Sequence, residues 1–445
     1  MSNRVIDVSM LARVEGEGAL YISLEDGVPK QVELRIFEPP RLFESILRGR
    51  SCLEVPDITA RICGICPVAY QMSSCAAIES ALGVRVDEPV LSLRKLLYDG
   101  EWIESHALHI FMLHLPDFLG YDDVIAMAKA HGPLVRDALA IKKAGNAILR
   151  VLGGRSVHPI NARIGGFHRF PTKAELDALL PELSAARDKM MAAIEVLSQL
   201  RFASSASEPE EVALTHPTEY LTIEGRVCSS AGVDVSVDEY ESVFEEQHVE
   251  RSNALRSRKR GGGIYRTGPL ARYALARDRL TPLAKEAAAK AGLGAREPNP
   301  FRSLLVRAVE TVHALDQAIG LITSYDAKPG QEPKLVDPRG SGVRIGCGAS
   351  EAPRGLLWHR YEIDRDGKIQ KAKIVPPTSQ NQLAIEEDLW SVARQLSELP
   401  EEEARRLAES TIRSYDPCIS CATHFLKLHF TAAPSESDVR VQGLS

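Results

Sequence analysis

Four of the eight cysteines fall in two Cys-x-x-Cys pairs, Cys63/Cys66 in "RICGICPVAY" and Cys418/Cys421 in "SYDPCISCATH". Together they supply four thiolates, a soft donor set suited to zinc, an iron–sulfur cluster or another thiophilic metal. The pairs lie 352 residues apart (66 to 418). A zinc staple usually gathers its ligands within a short stretch of chain. A metal shared here would tie the two ends of the chain together. Asp416-Pro417 reads as a helix start, an N-cap acceptor followed by proline at the first helical position. Cys418, Cys421 and His424 would then share one helix face, and the helix dipole would favour the thiolate a metal needs. Gly64 lets the backbone turn between the first two sulfurs, and Pro67 can open the following helix. Cys52, Cys75, Cys228 and Cys347 are scattered and read as small buried hydrophobes.

The elements around these pairs are mostly helical. Helical periodicity covers about 89–115, 122–150, 173–201, 240–258, 268–292, 301–328 and 383–413. Alternating patterns around Asp26-Gly27 and Asp366-Gly367 predict two β-hairpins, and "YLTIEGRVCSSAGVDVSV" predicts a weaker third. The expected fold is mainly α, a bundle of long helices with small antiparallel β-hairpins on its flanks. Residues 1–424 form one domain in this reading, followed by an extension, 425–445, that begins apolar in "FLKLHF" and turns into a polar tail. Glycine and proline cluster at 152–171, 260–269, 327–355 and 374–378, which places loops at helix ends. The histidines on helical faces (His106, His109, His114, His131, His313) read as core or surface residues.

Composition narrows the function classes. Lys+Arg 54 against Asp+Glu 60 gives a net charge of −6, so no general basic field draws the chain to nucleic acid or anionic lipid. No run of 18 apolar residues exists to span a membrane, and "MSNRVIDVSM" lacks a signal-peptide layout, so a cytoplasmic protein is expected. The basic run "RSNALRSRKRGGG" (251–263) reads as a solvated helix end, with a subunit contact as the alternative. No further cysteine group has iron–sulfur spacing, and no GxGxxG sits between a strand and a helix.

On these motifs the chain resembles the large, catalytic subunit of nickel–iron hydrogenases. "RICGIC" near the start and "DPCISC" with a following histidine carry the likeness. "ARVEGEG" (12–18), "FESILRGR" (43–50), "GGRSVHP" (153–159), "GPLAR" (268–272) and "EAPRG" (351–355) follow in the family's order. "CPVAYQM" and "HFLKL" are similar to the soluble, multi-subunit sulfhydrogenases that exchange electrons with NAD(P).

The resemblance implies reversible heterolytic oxidation of H2 and reduction of protons at nickel held by four thiolates. Cys63 and Cys418 would be terminal on nickel, and Cys66 and Cys421 would bridge to an iron carrying CO and CN⁻. Arg354 in "EAPRG" matches the arginine over the open site, where a permanent cation hydrogen-bonds cyanide and polarises H2. Asp117 in "HLPDF" and Asp416 match the aspartates near that arginine. Glu15 in "RVEGE" matches the glutamate that starts proton exit from a terminal cysteine. Thr378 in "PPTSQN" resembles the hydroxyl residue facing cyanide, although Gln380 stands where the family often has tryptophan. Glu44 in "FESIL" and His424 match a buried Mg²⁺ site. Many relatives carry histidine four residues after the second cysteine, where this chain has Tyr70, whose phenol can still donate one hydrogen bond.

The resemblance also implies partners: an Fe–S cluster-bearing small subunit, diaphorase-type NAD(P)/flavin subunits, and a maturation protease that cuts between His424 and Phe425. Two other readings of the same residues stand beside it. One is a non-enzymatic scaffold stapled by zinc through the four cysteines. The other is the quinone-site subunit of respiratory complex I, a relative that lacks those cysteines.

Overall fold

The computed structural model describes residues 4–39, 42–326 and 335–423. His424 and the 425–445 tail lie outside the described residues, together with the magnesium-ligand and cleavage expectations that fall on them. The interior is helical. Helix Glu88–Leu108 packs against Val124–Gly153 and Ser303–Ser324, and the last of these also packs against Leu180–Leu197. Leu93, Leu97, Trp102, Ile141, Ile148, Leu305, Val309 and Val312 are buried in one apolar cluster, which also contains Cys63, Cys66, Cys418 and Cys421. The four cysteines are therefore part of the main core. After Leu108 the chain makes a π turn, His109–His114, before Leu115–Leu119. Pro116 lies at the start of that last turn and has no N–H to continue the regular ladder.

Among the described residues, three sheets of three or four strands flank the helices, beside two two-stranded ones. The first runs Arg4–Val8, Gly18–Glu25, Val28–Ile36, all antiparallel. Asp26 and Gly27 both take positive φ (51° and 76°), as a two-residue primed turn needs. This sheet packs on helix Pro377–Glu398. The second sheet, Arg344–Ala352, Gly355–Ile363 and Ile369–Val375, lies on helix Pro67–Leu82, the helix that leaves Cys66. A Cβ at Gly348 would come within 2.4 Å of the Ser73 carbonyl oxygen, so strand and helix meet backbone to backbone. Gly348→Ala is expected to destabilise the protein by about 1–3 kcal/mol through overpacking, which a thermal melt reads as a lowered Tm. In the third sheet Glu210–Thr215, Arg226–Ser229 and Asp234–Val235 pair antiparallel, and Tyr265–Arg266 joins in parallel.

The mainly helical class with small sheets is as the periodicity predicts, and most of the long helices stand where it puts them. Four segments differ. The 173–201 pattern divides into Lys173–Asp177 and Leu180–Leu197. Residues 240–258 are one short helical turn, Tyr240–Val243, followed by a hairpin of Phe244–Gln247 and Arg256–Lys259. Its charges find cross-strand and neighbouring partners: Arg258 and Arg260 pair with Glu245, Lys259 with Glu210, and Arg251 and Arg256 with Glu386. The basic run is thus an ion-paired hairpin rather than a solvated helix end. The 268–292 pattern divides into Pro269–Ala276 and Pro282–Lys290, where Thr281 caps the second helix. The 383–413 pattern divides at Pro400 into Pro377–Glu398 and Glu401–Arg413. Among the described residues no helix is long and apolar enough to cross a membrane.

Candidate metal centre

Cys66 is the N-cap of Pro67–Leu82, with proline at the helix start. Its own side chain does not cap. The Glu101 carboxylate does so instead, accepting the N–H groups of Val68 (2.5 Å) and Ala69 (3.0 Å), two of the donors a helix start leaves open. Cys63 Sγ accepts the N–H groups of Ile65 and Cys66, both at 3.3 Å. The first pair is therefore held by the helical core.

The second pair arrives on a different scaffold. Cys418 is the N-cap of the short helix Ile419–Ala422, and its N–H donates to Thr378 Oγ1 at 2.9 Å. Glu15 lies alongside in a parallel bridge with Cys418. The Glu15 carbonyl accepts the Ile419 N–H (2.8 Å), and its Oε2 accepts the Ser420 N–H (3.1 Å). That same Oε2 lies 3.0 Å from Cys418 Sγ. Gly16 makes this approach possible: its φ is +87°, and a Cβ there would sit 2.7 Å from the Ser420 nitrogen.

The four sulfurs meet. Cys63, Cys66, Cys418 and Cys421 are all buried, with their Sγ atoms within 4.8 Å of one another. Cys63 and Cys418, one from each pair, are 3.5 Å apart. Cys418 and Cys421 are in disulfide contact, and metal ligation would need that pair reduced by two electrons to two thiolates. A hydrogen bond from Cys66 holds the Cys63 thiol below its ordinary pKa, and the Arg354 cation acts in the same direction. The same bond and burial push Cys66 up.

Arg354 is buried beside this cluster. Its Nε donates to the Asp416 carbonyl at 2.7 Å and its Nη2 to Asp416 Oδ1 at 3.0 Å. Asp416 Oδ2 lies 3.5 Å from Arg307 Nη1. Asp416 is therefore not the helix cap that Asp-Pro suggests. Its φ is +52°, a left-handed conformation aspartate tolerates, Cys418 is the cap, and the two arginines claim the carboxylate. Arg354 Nη1 and the Tyr70 hydroxyl are buried without a hydrogen-bond partner among the described residues. Burial holds the Tyr70 phenol protonated by pushing its pKa far up, with the charges of Cys66 and Cys63 adding to the effect. The donor set fits a thiophilic metal: four convergent sulfurs, with two unspent donors buried in the same region.

The other candidates fall around this centre. Thr378 touches it through the Cys418 backbone. Asp117 does not meet Arg354; its carboxylate is held by Arg13 and by Arg413, whose Nε and Nη2 donate at 2.7 and 2.9 Å. Glu44 Oε1 accepts the Ile374 N–H at 2.7 Å and lines a small cavity with Cys421 and Thr423. Of the remaining cysteines, Cys52, Cys75 and Cys347 are buried, and burial raises their thiol pKa values to about 11, 12 and 12. Glu101, Arg272 and Arg307 also belong to the surroundings of the centre, and no motif in the sequence gives them a role there. The signal for Glu101 and Arg307 is a charge set among apolar neighbours on a long helix, as in "SLLVRAVETVHAL" around Arg307, while Arg272 sits on the short helix Pro269–Ala276.

Known proteins are similar to this chain in sequence and in fold. A sequence profile of the family described as nickel-dependent hydrogenase matches residues 41–135 and 260–424. Sulfhydrogenase 2 subunit alpha of Pyrococcus furiosus is 35% identical over 95% of this chain and 100% of its own length. The NAD-reducing hydrogenase HoxS subunit beta of Cupriavidus necator is 27% identical over 96% of each chain. A solved NAD⁺-reducing [NiFe]-hydrogenase in its H2-reduced state superposes with a TM-score of 0.85 at 26% identity, covering 95% of this chain and 99% of that one. With four core sulfurs drawn from both ends of the chain and relatives matching along nearly its whole length, the chain belongs to the nickel-dependent hydrogenase family.

Proposed function

We propose that the chain is the catalytic large subunit of a nickel–iron hydrogenase, interconverting H2 with two protons and two electrons. The observation that carries this is the meeting of four buried sulfurs beside Glu15 and Arg354. Cys63 and Cys418 would hold nickel alone, and Cys66 and Cys421 would share it with iron. When bound, the nickel–iron pair with its CO and CN⁻ ligands would supply the redox change and polarise H2. The protein supplies the rest. Cys418 Sγ receives a proton and hands it to Glu15 Oε2, 3.0 Å away. Arg354, fixed by Asp416, keeps a permanent positive charge over the centre and has Nη1 to donate. Thr378 fixes the Cys418 backbone and acts in cofactor binding. Asp117 acts at one remove, by gripping Arg413, whose carbonyl accepts the Asp416 N–H.

Glu44 and His424 would hold Mg²⁺. A protease removes residues 425–445 after nickel loading. An Fe–S small subunit takes the electrons, and diaphorase-type subunits pass them to NAD(P) in the cytoplasm. The kinship with a sulfhydrogenase alpha subunit and an NAD-reducing hydrogenase subunit supports the electron route.

Copurification from the native host tests this directly. Nickel and iron at one each per chain, infrared bands of CO and CN⁻, and H2-dependent reduction of NAD⁺ or NADP⁺, assayed separately, are expected. Zinc alone at one per chain would overturn the assignment. Intact mass from nickel-replete cells should fall short of the full chain by residues 425–445; a full-length chain in the active complex would refute the cleavage.

A further inference from the structure

Arg272 sits at the centre of a buried ionic network that reaches the metal centre through the backbone rather than through its own side chain. An arginine has five N–H donors, and in Arg272 all five are used. Nε and Nη2 grip the two oxygens of Glu310 at 2.9 and 3.0 Å. Nη1 donates to Glu351 Oε2 at 2.9 Å. The remaining two donors go to the main-chain carbonyls of Ala352 and Pro353, at 2.9 and 3.0 Å. Those two residues immediately precede Arg354. Arg307 Nη1 donates to the same Pro353 carbonyl at 3.1 Å. The guanidinium of Arg272 is stacked 4.3 Å from the centre of the Trp102 ring.

The network has a defined shape. Glu310 also accepts from the Tyr220 hydroxyl (2.8 Å) and meets His106 Nε2 (3.0 Å). Glu351 accepts the Leu214 N–H at 2.6 Å. Arg272, Glu310, Glu351 and Arg307 are almost wholly inaccessible to solvent, so any unmade bond would leave a buried charge or dipole uncompensated. Four anchored charges therefore fix the Ala352–Pro353 backbone, and Arg354 is aimed from there with one arm on Asp416 and Nη1 left to donate.

We infer that Arg272 is a positioning residue for Arg354: its fork on the Ala352 and Pro353 carbonyls sets where the Arg354 guanidinium stands over the metal centre. This rests on the hydrogenase reading given above. A lysine at 272 keeps the charge but has three donors in place of a planar fork. It cannot serve Glu310, Glu351 and both carbonyls together.

The test uses the intact complex with four variants, Arg272→Lys, Glu310→Gln, Tyr220→Phe and Arg354→Lys, read by nickel content, turnover and infrared spectra. Arg272→Lys is expected to keep nickel, lose turnover on the order of 100-fold, as small misplacements of a reacting group do, and shift the cyanide bands in the same direction as Arg354→Lys. Glu310→Gln removes one grip on the guanidinium and carries the same test if Arg272→Lys yields no folded chain. Tyr220→Phe removes a hydrogen bond from Glu310 without touching the carbonyls, so wild-type bands are expected. Wild-type bands in the nickel-loaded Arg272→Lys enzyme would overturn the inference. So would the same band shift in Tyr220→Phe, or loss of nickel from Arg272→Lys at an unchanged Tm. Absence of nickel and of CO and CN⁻ bands from the wild type would instead sink the hydrogenase reading, and this inference with it.

Discussion

Cys418→Ser is expected to lower nickel from about one per chain to background and to take H2-dependent activity down by at least about 10³-fold. Cys418 joins the two halves of the site: its sulfur is 3.5 Å from Cys63 Sγ and 3.0 Å from Glu15 Oε2, and its N–H is held by Thr378. A serine hydroxyl is nearly the same shape, so packing should survive. Its oxygen is hard where the site is soft, and a buried hydroxyl stays protonated, whereas metal ligation needs the deprotonated, polarizable sulfur. Metal analysis and an H2-uptake assay on the purified complex check this. A serine variant that keeps nickel and more than a tenth of its turnover would remove Cys418 from the ligand set.

Glu15→Gln should cost about 10²–10⁴-fold in turnover, the range a positioned acid–base group contributes, with metal content unchanged. The amide oxygen can still accept the Ser420 N–H that Glu15 Oε2 accepts at 3.1 Å, and the Glu15 carbonyl still holds Ile419. The local fold is thus preserved while the proton acceptor next to Cys418 Sγ is lost. Isotope exchange between H2 and D2O separates the effects, because it requires protons to leave the site. Nickel lost from the variant would instead make Glu15 a structural strut.

Much of the centre is legible in the sequence because metal chemistry tolerates few substitutes. Two Cys-x-x-Cys pairs with a soft donor set announce a shared metal, and "EAPRG" points to the arginine beside it only through its resemblance to the family motif. The helices are legible where an apolar stripe recurs for many turns, as in Glu88–Leu108 and Ser303–Ser324. What cannot be read locally is decided by long-range partners. Residues 240–258 carry helix-compatible charges, yet form a hairpin whose charges are satisfied by Glu245 across the strands, by Glu210 of a neighbouring sheet and by Glu386 of helix Pro377–Glu398. Asp416 has the ideal neighbour for an N-cap, but Arg354 and Arg307 outcompete the helix start for its carboxylate. Asp117 lies far in sequence from Arg413, so nothing nearby announces that pairing. Arg272 looks like one more helical charge until its five donors are traced.

The two scaffolds of the site also differ in when they exist. Cys63 and Cys66 are set by the early helices, whereas Cys418 docks on Glu15, in the loop between the first two strands, and on helix Pro377–Glu398. At ordinary ribosomal speeds the second pair emerges roughly 20–70 s after the first. A nascent chain would therefore present a half-formed dithiol for most of its synthesis, able to catch a stray ion but unable to enclose one. Closing the cage has to wait until Cys418 and Cys421 have been made, so an ion caught early by Cys63 and Cys66 is held by half of the final donor set.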